Sequence, residues 1–471
     1  MNLSVALSSA QSALSATSTQ TSIISRNISG AADPGYSRKM GLTSSMGFGG
    51  VKVVSVGRAA DTALYNRMLD ATAGSSAQQA LLNGFETLAG TVDDPQLNQS
   101  VSASLGKLTD ALQMQAESPG DPVLGAATLS AAYDLAGKLN ESAQTTQRAR
   151  AEADTAMADS VDRINDLLKR FESANRAIVV GTQSGTDVSD ELDTRDRILG
   201  KLSEEVGIST VTRAGNDMVI YTDSGVTLFE KSARTISFDR TFAYEAGTTG
   251  NAVFADGVPL TGPGASMGIK SGALFGHATL RDNVAPQYQL QLDEIARGLI
   301  HAFGEPDPGD APGIFVDPGP AGAGLAARIG VNPDIDPALG GDLAGIRDGV
   351  NVNFNPDGDA AFSDRIYAML DALNAPQGFD PATGINPNTT LARFASSSVS
   401  WLEAGRQQAS QEASFRDTML ERTRESLSNA TGVNLDEELA LMMELERSYG
   451  ASARIISTVD NMLQSLLAAT R

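Results

Sequence analysis

NLDEELALMMELERSYGASARIISTVDNMLQSLLAATR, residues 434–471, is the stretch from which the architecture of the chain can be read. Its apolar and small residues recur with heptad spacing. Leu435, Met442, Tyr449, Ile456 and Leu463 form one row, and Leu445, Ser452, Val459 and Leu466 form the row three residues on. Asn434 is placed to cap a helix, and Asp436, Glu437 and Glu438 follow where carboxylates oppose the helix dipole. A helix of roughly 35 residues, ~50 Å long, needs an equally long partner to cover its seam. The other end of the chain carries a matching pattern, with Leu7, Leu14, Thr21 and Ile28 in one row and Leu3, Ala10, Thr17 and Ile24 in the other. The two termini are therefore expected to pair as coiled-coil-like helices.

The N-terminal helix runs into RNISGAADPGYSRKMG, residues 26–41, where Asp33, Pro34 and Gly35 impose a turn. The amphipathic start, Asn27 and Ile28, and then Pro34, Gly35, Tyr36, Ser37 and Arg38 resemble the N-terminus of bacterial flagellar rod, hook and hook-associated proteins. Asn434, Leu435, Glu438, Tyr449, Ala451, Ala453 and Ile456 resemble the C-terminus of the same family. GGVKVVSVGRAAD at 49–61 and DVSDELDTRDRILGKLSEEVGI at 187–208 are similar to its FlgK branch. The chain departs from the family pattern at Gly30, Asp33 and Ala60.

The resemblance implies a structural axial subunit of the flagellum. It would be exported without a cleaved signal peptide and act outside the cell at the hook–filament junction, on which the next hook-associated protein and the filament assemble. The implied partners are further copies in a ring, the hook protein, the third hook-associated protein and a cytoplasmic export chaperone. The alternatives within the family are the hook subunit and the third hook-associated protein. The implied assembly interface comprises Leu7, Leu14, Ile28, Pro34, Gly35, Tyr36, Leu435, Met442, Tyr449, Ile456 and Leu463.

Composition agrees. The 471 residues carry 57 acidic and 35 basic side chains, a formal charge of −22, which disfavours nucleic acid and anionic membranes as partners. The chain has no cysteine, so disulfides, thiolate metal sites and thiol nucleophiles are excluded together. No apolar run reaches membrane-spanning length, and no charged leader with an apolar core opens the sequence. A soluble chain without membrane insertion is expected.

Between the termini the spacing predicts a mainly α fold, an elongated multi-helix rod with a small antiparallel β domain. Helical spacing covers 61–90, with a kink at Gly74, Ser75 and Ser76, and a second helix runs from Leu97 to the stop at Pro119 and Gly120. Asp121 and Pro122 open a long third helix whose seam, Met157, Val161, Ile164, Leu168, Phe171 and Ile178, ends at Gly181. Residues 47–56 read as a short Gly-rich passage followed by a strand or extended crossing at Val51, Val53 and Val54, and 208–264 as a single continuing sheet that includes Phe242 and Tyr244. The expected domains are 1–32 with 433–471 for polymerisation, 33–205 with 266–305 and 363–432 for the rod, 206–265 for the β region, and 306–362 as an ordered Gly/Pro-rich loop.

Candidate chemistry is sparse. Asn353, Asn355, Asp357, Gly358 and Asp364 approximate a calcium loop but lack its first Asp and last Glu. Gly322, Gly324 and Ala327 imitate a dinucleotide fingerprint without strand-turn-helix context. His277 and His301, the only histidines, have no accompanying catalytic motif. No catalytic, cofactor-binding or metal residue is assigned, and no enzyme activity is expected.

Overall fold

The computed structural model describes residues 3–46, 50–92, 100–306, 311–319 and 322–469. The expectations at residues 47–49, Leu97 and Arg471 lie outside these. The chain opens with α1 (Leu3–Gly30), followed by β1 (Lys39–Ser45) and β2 (Val51–Arg58). β2 falls on the expected strand, and the spacing did not foresee β1, its hairpin partner. Residues 39–45, KMGLTSS, have weak strand character of their own, but they pair antiparallel with β2 from Lys39 opposite Arg58 to Ser45 opposite Val51.

The rod begins with α2 (Thr62–Ala89), α3 (Val101–Glu117), α4 (Pro122–Ser184) and α5 (Ser189–Glu205). Side-chain oxygens cap the first three. Asp61 accepts from Leu64 N, Ser100 from Ala103 N and Asp121 from Val123 N. α2 passes unbroken through Gly74–Ser76, because small residues there face a neighbouring helix rather than a bend. α4 has 63 residues, hence a length of ~95 Å. It continues past Gly181 to Gly185, whose φ of 72° makes the left-handed stop. Gly181 is small for a different reason, since a Cβ there would lie 2.3 Å from Val188.

The β region is two sheets, not one. β3 (Ile208–Thr212), β4 (Met218–Thr222) and β5 (Thr227–Phe229) form the first, and β6 (Ile236–Phe238), β7 (Val253–Ala255) and β8 (Val258–Pro259) the second. The intervening loop is pulled onto α4 by buried Asp154, which accepts from Tyr244 Oη at 2.7 Å and Thr241 N at 2.9 Å and pairs with buried Arg281 at 2.7 Å. Phe242, left outside, is 83% exposed. Both sheets share a core with Met157, Ile164, Leu168 and Phe171 of α4.

α6 (Ala273–Thr279) passes through a π turn into α7 (Ala285–Phe303). Next come β9 (Phe315–Val316), α8 (Leu325–Arg328), β10 (Gly330–Val331) and α9 (Gly345–Asp348). Ile314, Phe315, Ile329, Ile335 and Ile346 anchor this loop-rich stretch in the main core with α3, α4 and α7. α10 (Asp364–Asn374), β11 (Gln377–Gly378) and β12 (Asn388–Thr389) lead to α11 (Leu391–Thr431), which lies along α2, and α12 (Leu435–Ala469), which lies along α1.

Glu305, 1% exposed, ties the loop to the rod. Its carboxylate accepts from the N–H groups of Val350, Asn351 and Val352 at 2.7–2.8 Å and pairs with Arg365 at 2.7 Å. Burial opposes its ionisation, but these donors outweigh burial and hold its pKa below the usual 4.5. A depressed carboxylate pKa gives stability that is complete above the unfolded value and lost as pH falls through the folded one. Glu305→Ala should cost about 3–5 kcal/mol at neutral pH and flatten the fall in melting temperature between neutral and acid pH. An unchanged acid limb would show that this carboxylate does not hold the loop.

Candidate assembly interface

The outer faces of α1 are largely Ser and Thr, which ordinarily favour water. Here many hydroxyls turn back onto the helix: Thr17 Oγ1 donates to Ala13 O at 2.8 Å, Thr21 to Thr17 O at 2.9 Å and Ser29 to Ser25 O at 2.9 Å. A polar sequence thereby presents a small, satisfied surface against which another helix can lie closely. α1 and α12 pair with the end of one beside the start of the other, Asn27 meeting Glu438.

Ala10, Thr17 and Ile24 of α1 are buried, as are Glu438, Ser452 and Val459 of α12, with Leu445 half-buried between them. The other row lies at the edge of the pair. Leu7, Leu14 and Ile28 are half-buried, as are Met442 and Ile456, while Leu435, Tyr449 and Leu463 are exposed. In the turn, Pro34 is exposed and Gly35 and Tyr36 are half-buried. Farther out, Leu439, Leu441, Met443, Ile455, Met462, Leu466 and Leu467 of α12 face solvent, as do Met40, Leu42, Met46, Val51 and Val54 of the hairpin. Large apolar side chains exposed in this number are characteristic of surfaces that become covered.

At the base of this pair lies a buried polar latch. Asn27 Nδ2 donates to Glu438 Oε2 and to Lys39 O, both at 3.0 Å, while its Oδ1 accepts from Lys39 N at 2.8 Å and Tyr36 Oη at 3.0 Å. Arg38 Nε holds the other Glu438 oxygen at 2.6 Å. The Lys39 ammonium, fully buried, donates to Ser189 O at 3.0 Å and to the Asp193 carboxylate. Arg58 bridges Asp193 and Asp196 at 2.9 and 2.7 Å. On the outside, Arg26 pairs with Asp187 and Asp190.

Two of the departures from the family pattern have local causes. A Cβ at Gly30 would stand 2.6 Å from the Tyr36 ring, and Asp33 accepts from Gly35 N at 2.8 Å while pairing with Arg197. Burial, reinforced by Asp190, Asp193 and Glu438 against the opposing charge of Arg26, pushes the Tyr36 pKa up to about 12.

The sequence reading placed Tyr36 in the interface and Glu438 at the helix start. It did not find the bonding of Asn27, Lys39, Arg58 and Asp193. The available signal was the charge-dense run 187–197 opposite a turn containing Arg38 and Lys39.

The other candidate residues are engaged within the fold. Asp293 accepts from Gly324 N at 2.7 Å and Ala326 N at 2.9 Å, so a carboxylate of the chain already occupies the start of α8. Asn355 binds Asp348 and Asp359 O, and Asn353 accepts from Asn355 N. Burial lowers the pKa of His277, and His301 is exposed. Among the described residues no cluster of three or more His, Asp or Glu side chains could hold a metal ion, and no helix is long and apolar enough to cross a membrane.

Asn27→Leu should strand the Lys39 N–H and C=O and the Tyr36 hydroxyl, at about 1–3 kcal/mol for each group left unpaired. Hydrogen exchange should show α1 and α12 losing protection while α4 and α7 keep theirs; uniform loss would deny the latch a local role. The raised Tyr36 pKa keeps a proton on the folded chain that the unfolded chain releases near 10.0, so stability should fall as pH rises from there toward 12. Tyr36→Phe should remove that part of the alkaline slope.

A model of the flagellar hook-associated protein FlgK helical domain matches residues 79–306, and a model of the flagellar basal body rod FlgEFG protein C-terminal region matches residues 426–469. Flagellar hook-associated protein 1 of Escherichia coli K12 is 26% identical over 324 residues, 64% of this chain and 56% of that protein. Its Salmonella typhimurium counterpart is 25% identical over 321 residues, with the same coverage. The Bacillus subtilis protein of that name is 23% identical over 426 residues, 82% of this chain and 78% of its own length. The chain thus spans a little over half the length of the two enterobacterial relatives. The flagellar hook junction protein FlgK from Burkholderia pseudomallei aligns in structure over 54% of this chain and 47% of its own, with a TM-score of 0.44 and 21% identity. The helical-domain match lies on the rod and the rod-protein match on α12, so along both parts of the chain the likeness is to the FlgK hook-associated proteins of bacterial flagella.

Proposed function

We propose that this axial protein forms the junction between hook and filament. Copies related by rotation associate through α1 and α12 into a ring, seated on the hook protein and presenting a surface to the third hook-associated protein and then the filament. The observation that carries this reading is the set of large apolar side chains left exposed along α12 and on the hairpin, beside the buried latch that ties α1 and α12 to α5. The half-open row Leu7, Leu14, Ile28, Leu435, Met442, Tyr449, Ile456 and Leu463 is the part of the seam that neighbours would cover. Before assembly the same side chains on α12 offer an export chaperone its grip. On this reading function resides in surfaces, and the chain catalyses nothing. A hook subunit or third hook-associated protein would use the same helix pair, but the helical-domain match over 79–306 favours the junction.

Cells deleted for this protein should be non-motile, bear hooks without filaments and release unassembled flagellin. Filaments of normal length in such cells, with no second copy of the protein present, would overturn the assignment. Leu463→Asp places a charge on a side chain 37% exposed in the free chain, so its melting temperature should match wild type. Burying that charge unpaired in an assembly costs several kcal/mol, so the variant should fail to restore filaments. A large loss of monomer stability would mean that Leu463 is ordinary core.

A further inference from the structure

Met40 and Met46 of the hairpin and Met443 and Met462 of α12 are 43–56% exposed, and they stand among the side chains that neighbouring subunits would cover. The buried methionines lie elsewhere, Met157 on α4, Met218 on β4 and Met369 on α10. Among the described residues the terminal pair and the hairpin bury none, and Met442 is half-buried. A thioether suits a surface that faces water first and a partner later, because it is apolar, flexible and polarisable and adapts to an irregular neighbour. It is also open to oxidation, which turns it into a polar sulfoxide. The chain has no cysteine, so no thiol of its own takes up an oxidant first.

We infer that Met40, Met46, Met443 and Met462 form a modification site: hydrogen peroxide oxidises their thioethers while the chain is free, and the modified surface no longer assembles. The inference rests on the assembly through the terminal helices proposed above and adds what disables that surface. In each step a sulfur lone pair attacks one peroxide oxygen, the O–O bond breaks and an S–O bond forms. The proton on the transferred oxygen passes to the departing hydroxide, which leaves as water, so sulfur loses the electron pair that the peroxide gains. In the free chain the new S–O dipole faces water at little cost. Covered by a neighbour that offers no donor, it opposes association where the thioether favoured it. Met114, Met267 and Met419 are exposed to a similar degree, but they lie on α3, the loop before α6 and α11, outside the terminal pair and hairpin.

The test treats the purified full chain with dilute hydrogen peroxide and maps the added oxygen by peptide mass spectrometry. Met40, Met46, Met443 and Met462 should be oxidised before the buried Met157, Met218 and Met369, with the melting temperature unchanged. Untreated chain, added to cells that lack the protein and bear bare hooks, should restore filaments, and oxidised chain should restore them roughly tenfold less often. Replacing all four by Met40→Leu, Met46→Leu, Met443→Leu and Met462→Leu keeps the apolar bulk, so this variant should restore filaments before and after peroxide. Met114→Leu, Met267→Leu and Met419→Leu together should give no protection. Methionine sulfoxide reductases with a thiol reductant should return the oxidised wild-type chain to assembly, an arm that needs no variant. Undiminished filaments from the oxidised chain, a fold that melts on oxidation, no recovery with the reductases, or protection by the second set of replacements each overturn the inference and leave the junction reading standing. Untreated chain that restores no filaments removes the junction reading, and this inference with it.

Discussion

The hydrogen bond between Asn27 and Glu438 joins the two ends of a chain more than four hundred residues long, and the rest of the latch is arranged to make it possible. The Glu438 carboxyl group at 1% exposure needs hydrogen-bond partners within the fold. Asn27 and Arg38 provide them, and Asn27 is itself oriented by Lys39 and Tyr36. Lys39 in turn requires Asp193, which draws α5 and so the rod into the same network. Removing any one member leaves a buried group without its partner, a larger loss than the net worth of a single hydrogen bond. The terminal pair is bound by this chain of dependencies as well as by its apolar seam.

The rod reaches its length through close helix approach. A Cβ on Gly276 would stand 2.4 Å from Ala77 O, and one on Gly405 would stand 2.5 Å from the Phe85 ring. Ser75 donates to Asp417 across the same contact between α2 and α11. Small residues that look like helix breakers in isolation are here what allows long helices to lie side by side. Arg281, Asp154 and Tyr244 then fasten the β region to α4 as the latch fastens the termini.

Much of this was legible. Heptad rows located α1, α4 and α12, and the capping residues Asp121 and Asn434 located the starts of α4 and α12, because burial of one helix face and satisfaction of free amides leave direct marks in sequence. The division of the terminal seam into a buried and an open row was not legible. Spacing identifies which residues share a face, but Thr17 and Ser452 are buried because they are small enough for close approach, while the larger Leu435, Tyr449 and Leu463 remain outside. The latch was hidden for a related reason. Lys39 and Asp193 look like surface charges until a fold removes water from both, and their partners lie 154 residues apart. The hairpin escaped because β1 borrows its conformation from β2, and the two separate sheets because Tyr244 answers to Asp154 rather than to a strand.

The latch also determines how the molecule bears a load. A pull along α12 reaches Glu438 in its first turn, passes through Asn27 and Arg38 into the 31–39 segment, and from Lys39 and Arg58 into α5 beside α4. The links lie in succession, so a load on α12 passes through each buried partner in turn before it reaches α5. A pull on the terminal pair is thus passed toward the 63-residue α4 by way of α5. The exposed Met462, Leu466 and Leu467 lie at the other end of α12, farthest along the helix from this joint.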